Sequence, residues 1–216
     1  MRRFGRRHSL VLAVGIVVLS AGAPRDAEGL TLESLVSGGI ITTGVLTFSN
    51  FDVAIGGDFP ESLDDYTVQV LDGGFRLSGP LSALLGASGT LLLSYDVSSS
   101  DPGGITGARL FADALVVGDG AQAYVADSLF APDDTPLGSL FVFAATGAGS
   151  DALDTLGIAG ASALHVVKSV NVRAGTFAAI PFVDQQFLSV PEPLPLLMML
   201  GGLTGLARAG RRSRED

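Results

Sequence analysis

The chain has no cysteine. Disulfides, thiolate nucleophiles, lipoprotein acylation and cysteine-bound metals are thereby excluded, and stability must come from the packed interior. Tryptophan is absent and tyrosine occurs three times, a thin supply of platforms for stacking sugar rings. Of the two histidines, His8 lies in an N-terminal leader-like segment, leaving His165 for acid–base chemistry. Basic residues are scarce in the body. Nine of the thirteen Lys and Arg sit near the two ends, so Arg76, Arg109, Lys168 and Arg173 face eighteen acidic residues, a net charge of −14. Such a field makes nucleic acid and anionic membrane surfaces poor partners and favours solubility and divalent-cation association.

Long apolar runs occur only at the ends. Arg2, Arg3, Arg6 and Arg7 precede residues 10–19, all apolar or Gly, and small residues follow at 20–23. That order is a secretory signal peptide, and a ten-residue helix of about 15 Å is too short to span a bilayer. Cleavage falls between Ser20 and Ala27, so residues 1–27 are assigned to export. At the other end Val190-Pro191-Glu192-Pro193 precedes an apolar run over 194–207 and then Arg208, Arg211, Arg212 and Arg214. The run would rise about 21 Å as a helix, enough for a transient membrane hold, and the arginines would keep the terminus cytoplasmic. Pro191 and Pro193 fix φ near −65° and push Val190 and Glu192 into extended geometry, presenting a stiff peptide to a protein groove.

In these residues the chain resembles the PEP-CTERM family of exported bacterial proteins. The match is Pro191, Glu192 and Pro193, the Leu-rich segment with Gly201, Gly202 and Gly205, and Arg211-Arg212-Ser213-Arg214. The resemblance implies that residues 190–216 are a sorting signal and that the partner is exosortase, a membrane enzyme that removes the tail. It implies delivery to the cell surface or the exopolysaccharide matrix. Gly44-Val45-Leu46-Thr47-Phe48-Ser49-Asn50-Phe51 also looks like the opening of many bodies in that family, although Val45 departs from the usual acidic residue. An ordinary single-pass anchor with a Pro-rich linker is the plainer alternative.

Residues 28–189 suit one domain of ordinary size. Tyr66, Val68 and Val70 alternate with polar residues, Asp72-Gly73-Gly74 supplies a turn, and Phe75 and Leu77 resume the alternation, which is a hairpin. Further strands are expected over 45–55, 90–97, 108–117, 121–130, 139–145, 163–173 and 182–188, with Gly, Pro, Asp and Ser between them. One short helix over 32–36 is expected, capped by Thr31 and stopped by Gly38-Gly39. The fold class read from this pattern is all-β, an antiparallel β-sandwich or jelly-roll-like single domain, followed by a stalk over 188–195.

Motifs for chemistry are weak. On its strand His165 shares a face with Ser169, Asn171 and Arg173, opposite Leu164, Val166, Val170 and Val172, so it reads as a surface residue. A general base would need an activated Ser or a carboxylate partner, and Gly160-Ala161-Ser162-Ala163-Leu164 is not a nucleophile elbow. Gly147-Ala148-Gly149-Ser150-Asp151-Ala152 matches a dinucleotide fingerprint, but no βαβ context surrounds it, and a loop between strands is the better account. The carboxylate pairs Asp64-Asp65 and Asp133-Asp134 resemble turn formers more than a hydrolase's opposed acids. Asp58, Glu61, Asp64 and Asp65 are the calcium candidate, oxygen donors on one loop without EF-hand spacing.

No catalytic residue and no required cofactor emerge. The function expected is a non-enzymatic, exported surface or matrix protein, structural or adhesive. The alternatives are an extracellular module binding calcium or polysaccharide and, further off, a secreted hydrolase.

Overall fold

The computed structural model describes residues 30–189. The N-terminal leader, the Pro191-Glu192-Pro193 motif, the apolar run and the four terminal arginines lie outside the described residues. Among the described residues no helix is long and apolar enough to cross a membrane.

The chain opens with β1 (Leu30–Thr31), helix α1 (Leu32–Val36), β2 (Ile41–Thr43) and β3 (Leu46–Gly57). A single 3₁₀ turn at Leu63–Asp65 leads into the hairpin β4 (Thr67–Leu71) and β5 (Gly74–Ser78), then β6 (Ser82–Leu84) and β7 (Ser88–Ser99). Next come β8 (Ile105–Val117), β9 (Gln122–Phe130), β10 (Pro136–Ala145) and β11 (Gly149–Asp151). The last strands are β12 (Leu153–Ala161), β13 (Ala163–Arg173) and β14 (Phe177–Ser189).

They form two seven-stranded antiparallel sheets. The first has the order β1-β4-β5-β14-β8-β12 with β6 also on β14; the second has the order β11-β10-β9-β13-β7-β3-β2. The fold is the expected β-sandwich. Two sheets bury one face each because alternating apolar residues must leave water, and facing them inward removes both sets at once. Leu91, Leu93, Tyr95 and Val97 of β7 and Leu164, Val166, Val170 and Val172 of β13 supply the second sheet's inner face. Phe75, Leu77, Leu110, Val183 and Phe187 answer from the first. Between them Phe48, Phe51, Phe75, Tyr95 and Phe187 form an aromatic cluster, with the Phe75 and Tyr95 ring centroids 5.3 Å apart at 72°. Edge-to-face contacts of this kind add to plain area burial.

Two bulges set which residues face inward. In β3 the pairing with β7 shifts between Ser49 and Asp52, with Asn50 at φ 55°. Strict alternation would bury only one of Phe48 and Phe51; the extra residue reverses the parity, and both are buried. In β14 the register with β8 shifts between Ala179 and Phe182, around Pro181, which has no N–H for the ladder. Ile180 and then Val183, Gln185 and Phe187 consequently point into the core.

Helix α1 forms as its sequence predicts. Thr31 is the N-cap, its Oγ1 accepting from Ser34 N at 3.2 Å, and Leu32 and Leu35 are buried. The hairpin joins Leu71 to Gly74 through the two-residue loop Asp72-Gly73, with Gly73 at φ 70°. Three expectations need correction. Leu188 and Ser189 end β14 and belong to the sheet, not to a stalk. Within 147–152, Gly149–Asp151 forms a short strand hydrogen-bonded to β10, so only part of that stretch is loop. The strand β12, unread in the sequence, lies at the edge of the first sheet, where its Leu156 and Ile158 are only partly covered and give a faint periodic signal.

Candidate functional site

The outer face of the second sheet is broad and built from in-register rows. Phe143 of β10 pairs with Tyr124 of β9, Tyr124 with Asn171 of β13, and Asn171 with Thr90 of β7. These four side chains therefore form one line across the sheet. Outward positions alternate with buried neighbours on each strand, as at Ala123 and Val125 on either side of Tyr124. Phe141, two residues before Phe143, lies beside them with half its surface exposed (49%). The Tyr124 and Phe141 ring centroids are 5.8 Å apart, and Phe141 stacks on Phe143 at 5.8 Å and 22°. The backbone N–H of Phe141 donates to Asp154 Oδ2 of β12 at 2.8 Å, which ties this margin to the other sheet.

The polar half of the row is already organised. Thr90 Oγ1 donates to Asn171 Oδ1 at 2.9 Å, and Asn171 Nδ2 donates to Ser169 Oγ. Gln122 and Arg173 pair in the next row. An aromatic platform thus meets a strip of amide, hydroxyl and guanidinium groups, and Thr90, Gln122, Tyr124, Asn171 and Arg173 line a hollow of about 180 Å³.

About 20 Å along β9, at ~3.3 Å per residue, a second cluster occupies the same face. His165 pairs with Phe130 on one side and Asp96 on the other, and Asp96 with Ser49. His165 Nδ1 lies 2.8 Å from Asp96 Oδ1, and Asn50 Nδ2 donates to Asp96 Oδ2 at 2.7 Å. Partial burial raises the Asp96 pKa, but the hydrogen bonds from Asn50 and His165 outweigh it and hold the carboxyl below its ordinary 3.8. Ser49, Asp96 and His165 line a cleft of about 460 Å³ with Pro132 and Asp134. His165 is a surface residue, as the alternation implies, and it has the carboxylate partner that sequence reasoning did not find. Among the described residues no Ser or Thr hydroxyl hydrogen-bonds to its ring.

The calcium candidate does not assemble. Among the described residues no group of three or more His, Asp or Glu side chains is placed to hold a metal ion. Asp58 is turned to the sheet edge, its Oδ2 accepting from Ser88 N at 3.0 Å, while Asp64 and Asp65 belong to the 3₁₀ turn at Leu63–Asp65. The outer face of the first sheet carries an aromatic pair of its own, Phe111 and Phe182, with ring centroids 5.8 Å apart. Arg76 is held by Asp184 at 2.6 and 2.8 Å, and its guanidinium lies 3.9 Å above the Phe182 ring.

Sequence reasoning missed one further cluster, which lies between the sheets. Lys168 of β13, Asp127 of β9 and Gln185 of β14 are each wholly buried (0% exposed). Lys168 Nζ donates to Asp127 Oδ1 at 2.6 Å, to Asp127 Oδ2 at 2.9 Å and to Gln185 Oε1 at 2.8 Å. Gln185 Nε2 donates to the Arg109 carbonyl at 3.3 Å. Burial pushes the Asp127 carboxyl up and the Lys168 ammonium down, and the attraction between them offsets this only in part. Nearby, the buried Tyr95 hydroxyl has no hydrogen-bond partner among the described residues, and burial and the Asp127 charge raise its pKa well above 10.0. The signal was present in the sequence: Lys168 occupies the inward parity between Val166 and Val170, and Asp127 the inward parity between Val125 and Leu129.

No protein-family model and no curated protein matches this sequence. Solved structures resemble it at low identity. TmCBM61 in complex with beta-1,4-galactotriose is 15% identical over 64% of this chain and 88% of that one, with a TM-score of 0.38. The Glycosylation Associate Protein (Gap123) complex from Streptococcus agalactiae is 14% identical over 62% and 24%, with a TM-score of 0.31. A carbohydrate-binding module of the beta-sandwich superfamily is 10% identical over 75% and 62%, with a TM-score of 0.25.

Proposed function

We propose that this chain is an exported, non-enzymatic β-sandwich that holds polysaccharide on the outer face of its second sheet. The observation that carries the reading is the in-register row Phe143, Tyr124, Asn171 and Thr90 with Phe141 beside it. A pyranose ring has one face of C–H groups and a rim of hydroxyls. The C–H face suits an aromatic surface, and the rim suits amide, hydroxyl and guanidinium groups that donate and accept. An open sheet face about 20 Å long accepts several sugar units of an extended chain, whereas an enclosed pocket would take an end. The acidic body favours a neutral polymer, or an anionic one bridged by divalent ions.

Electrophoresis of the purified protein through gels containing individual exopolysaccharides tests this reading. Retardation by at least one polymer is expected, and Tyr124→Ala or Phe141→Ala should weaken it by about 2- to 10-fold each, the equivalent of ~0.5–1.5 kcal/mol per lost stacking contact. Retention that both substitutions leave unchanged would refute the face, and mobility unaltered by every polymer would leave a purely structural role.

Sorting through Pro191-Glu192-Pro193 by an exosortase-like enzyme, with delivery to the cell surface or matrix, belongs to the same proposal. It is supported by the order of motif, apolar run and arginine cluster. The mass of the extracellular protein should lack the tail, and Glu192→Ala should leave the tail in place and the protein in the membrane fraction. A released protein ending at Asp216 would refute sorting.

A further inference from the structure

The buried cluster of Lys168, Asp127 and Gln185 has the composition of a reaction centre. It holds an amine, a primary amide and a carboxyl group in hydrogen-bond contact, inside a core from which water is excluded. We infer that the folded chain cross-links itself, Lys168 Nζ condensing with the Gln185 side-chain amide under general acid–base catalysis by Asp127 and releasing ammonia.

The step balances without an outside reactant. The ion pair first neutralises, Lys168 passing a proton to Asp127 across 2.6 Å. The Nζ lone pair forms a bond to Gln185 Cδ, and the carbonyl electrons move to Oε1, which takes the proton from Asp127. The Asp127 carboxylate then removes a proton from the now cationic Nζ and delivers it to Nε2. Re-forming the C=O bond breaks the Cδ–Nε2 bond and expels ammonia, and the Oε1 proton returns to Asp127. The product is a secondary amide and a regenerated carboxylic acid; nothing is oxidised or reduced.

Three features of the geometry favour this course. Nζ donates to Oε1 at 2.8 Å, which holds the amine against the carbonyl group whose carbon it attacks. Gln185 Nε2 donates to the Arg109 carbonyl on the neighbouring strand β8, which fixes the amide with Oε1 toward the incoming amine. Burial shifts Lys168 toward the free amine and Asp127 toward the neutral acid, the forms from which attack begins. Asp127 serves as the proton carrier and not as the electrophile. If it reacted with Lys168, the amide of Gln185 could not replace it as a proton carrier, and the link would join two strands already paired in one sheet. The link to Gln185 joins the two sheets, and it is a covalent staple open to a chain without cysteine.

Peptide mass spectrometry of the full chain as secreted decides the matter. A branched peptide joining the segment around Lys168 to that around Gln185 is expected, lighter than the sum of its parts by one ammonia, with trypsin unable to cut after Lys168. Asp127→Asn should restore separate linear peptides of full mass, in a protein whose circular dichroism still shows the β-sheet. The wild-type measurement does not depend on how any variant folds. Linear peptides of full mass from the wild type would overturn the proposal. So would a peptide lighter by one water joining Lys168 to Asp127, or an ammonia deficit that persists in Lys168→Arg.

Discussion

Replacing Lys168 by Met tests the electrostatics of the interior directly when it is compared with the double variant Lys168→Met/Asp127→Leu. Neither variant can form a cross-link, so their difference isolates one buried carboxyl group. In the single variant Asp127 keeps its place between the sheets with no cation beside it. Its cheapest course is to take up a proton, and above its ordinary pKa of 3.8 that costs about 1.4 kcal/mol per pH unit, or about 4 kcal/mol near pH 7. The figure falls within the ~3–5 kcal/mol found when one partner of a buried ion pair is removed. In the double variant a leucine fills the site and the cost disappears. The sign of the pH dependence follows. A carboxyl whose pKa is raised in the fold holds a proton that the unfolded chain has released, so the single variant's stability falls as pH rises. Urea and thermal denaturation of both variants should show the single variant less stable by about 4 kcal/mol near pH 7, a melting difference of ~8–16 °C, shrinking to about 2 kcal/mol near pH 5. A gap of less than about 1 kcal/mol near pH 7, or one independent of pH, would refute the reasoning.

Other outcomes follow from the same structure. Phe48→Ala removes a fully buried ring packed 5.6 Å from Phe75 and 5.9 Å from Phe187, and urea denaturation should show a loss of ~3–5 kcal/mol. Asp96→Asn should flatten the acid end of the stability profile. The depressed pKa of Asp96 contributes stability above 3.8 that is lost as pH falls below it, and denaturation midpoints measured down that range would detect the change. Gly74→Ala places a Cβ on the Gln185 carbonyl oxygen of the adjacent strand, where backbone cannot yield, and thermal denaturation should register a loss of about 1–3 kcal/mol.

Local pattern carried much of this fold. Residues 163–173 read as one strand with Leu164, Val166, Val170 and Val172 inward, and β13 has those bounds and that burial. Thr31 read as a helix cap and is one. The strands that escaped notice, β1, β2, β6, β11 and β12, are very short or lie at sheet edges, where partial burial leaves little alternation to detect. The candidate face was only partly legible. Asn171 and His165 were read as outward residues of one strand, but Tyr124, Phe141 and Phe143 gained meaning only when β9 and β10 were placed beside them. The parity of Lys168 was open to inspection, since its charge occupies an inward slot of an apolar strand.

The amino-acid sequence alone determined the strand-rich class, the capped first helix and the acidic body without cysteine. These are properties of neighbouring residues, and neighbours express them wherever the chain goes. Tertiary structure decided which strands lie side by side, how one bulge lets both Phe48 and Phe51 enter the core, and how another turns Gln185 toward Lys168 and Asp127. Register between distant strands depends on the joint burial of two whole sheets, a quantity that no single segment contains.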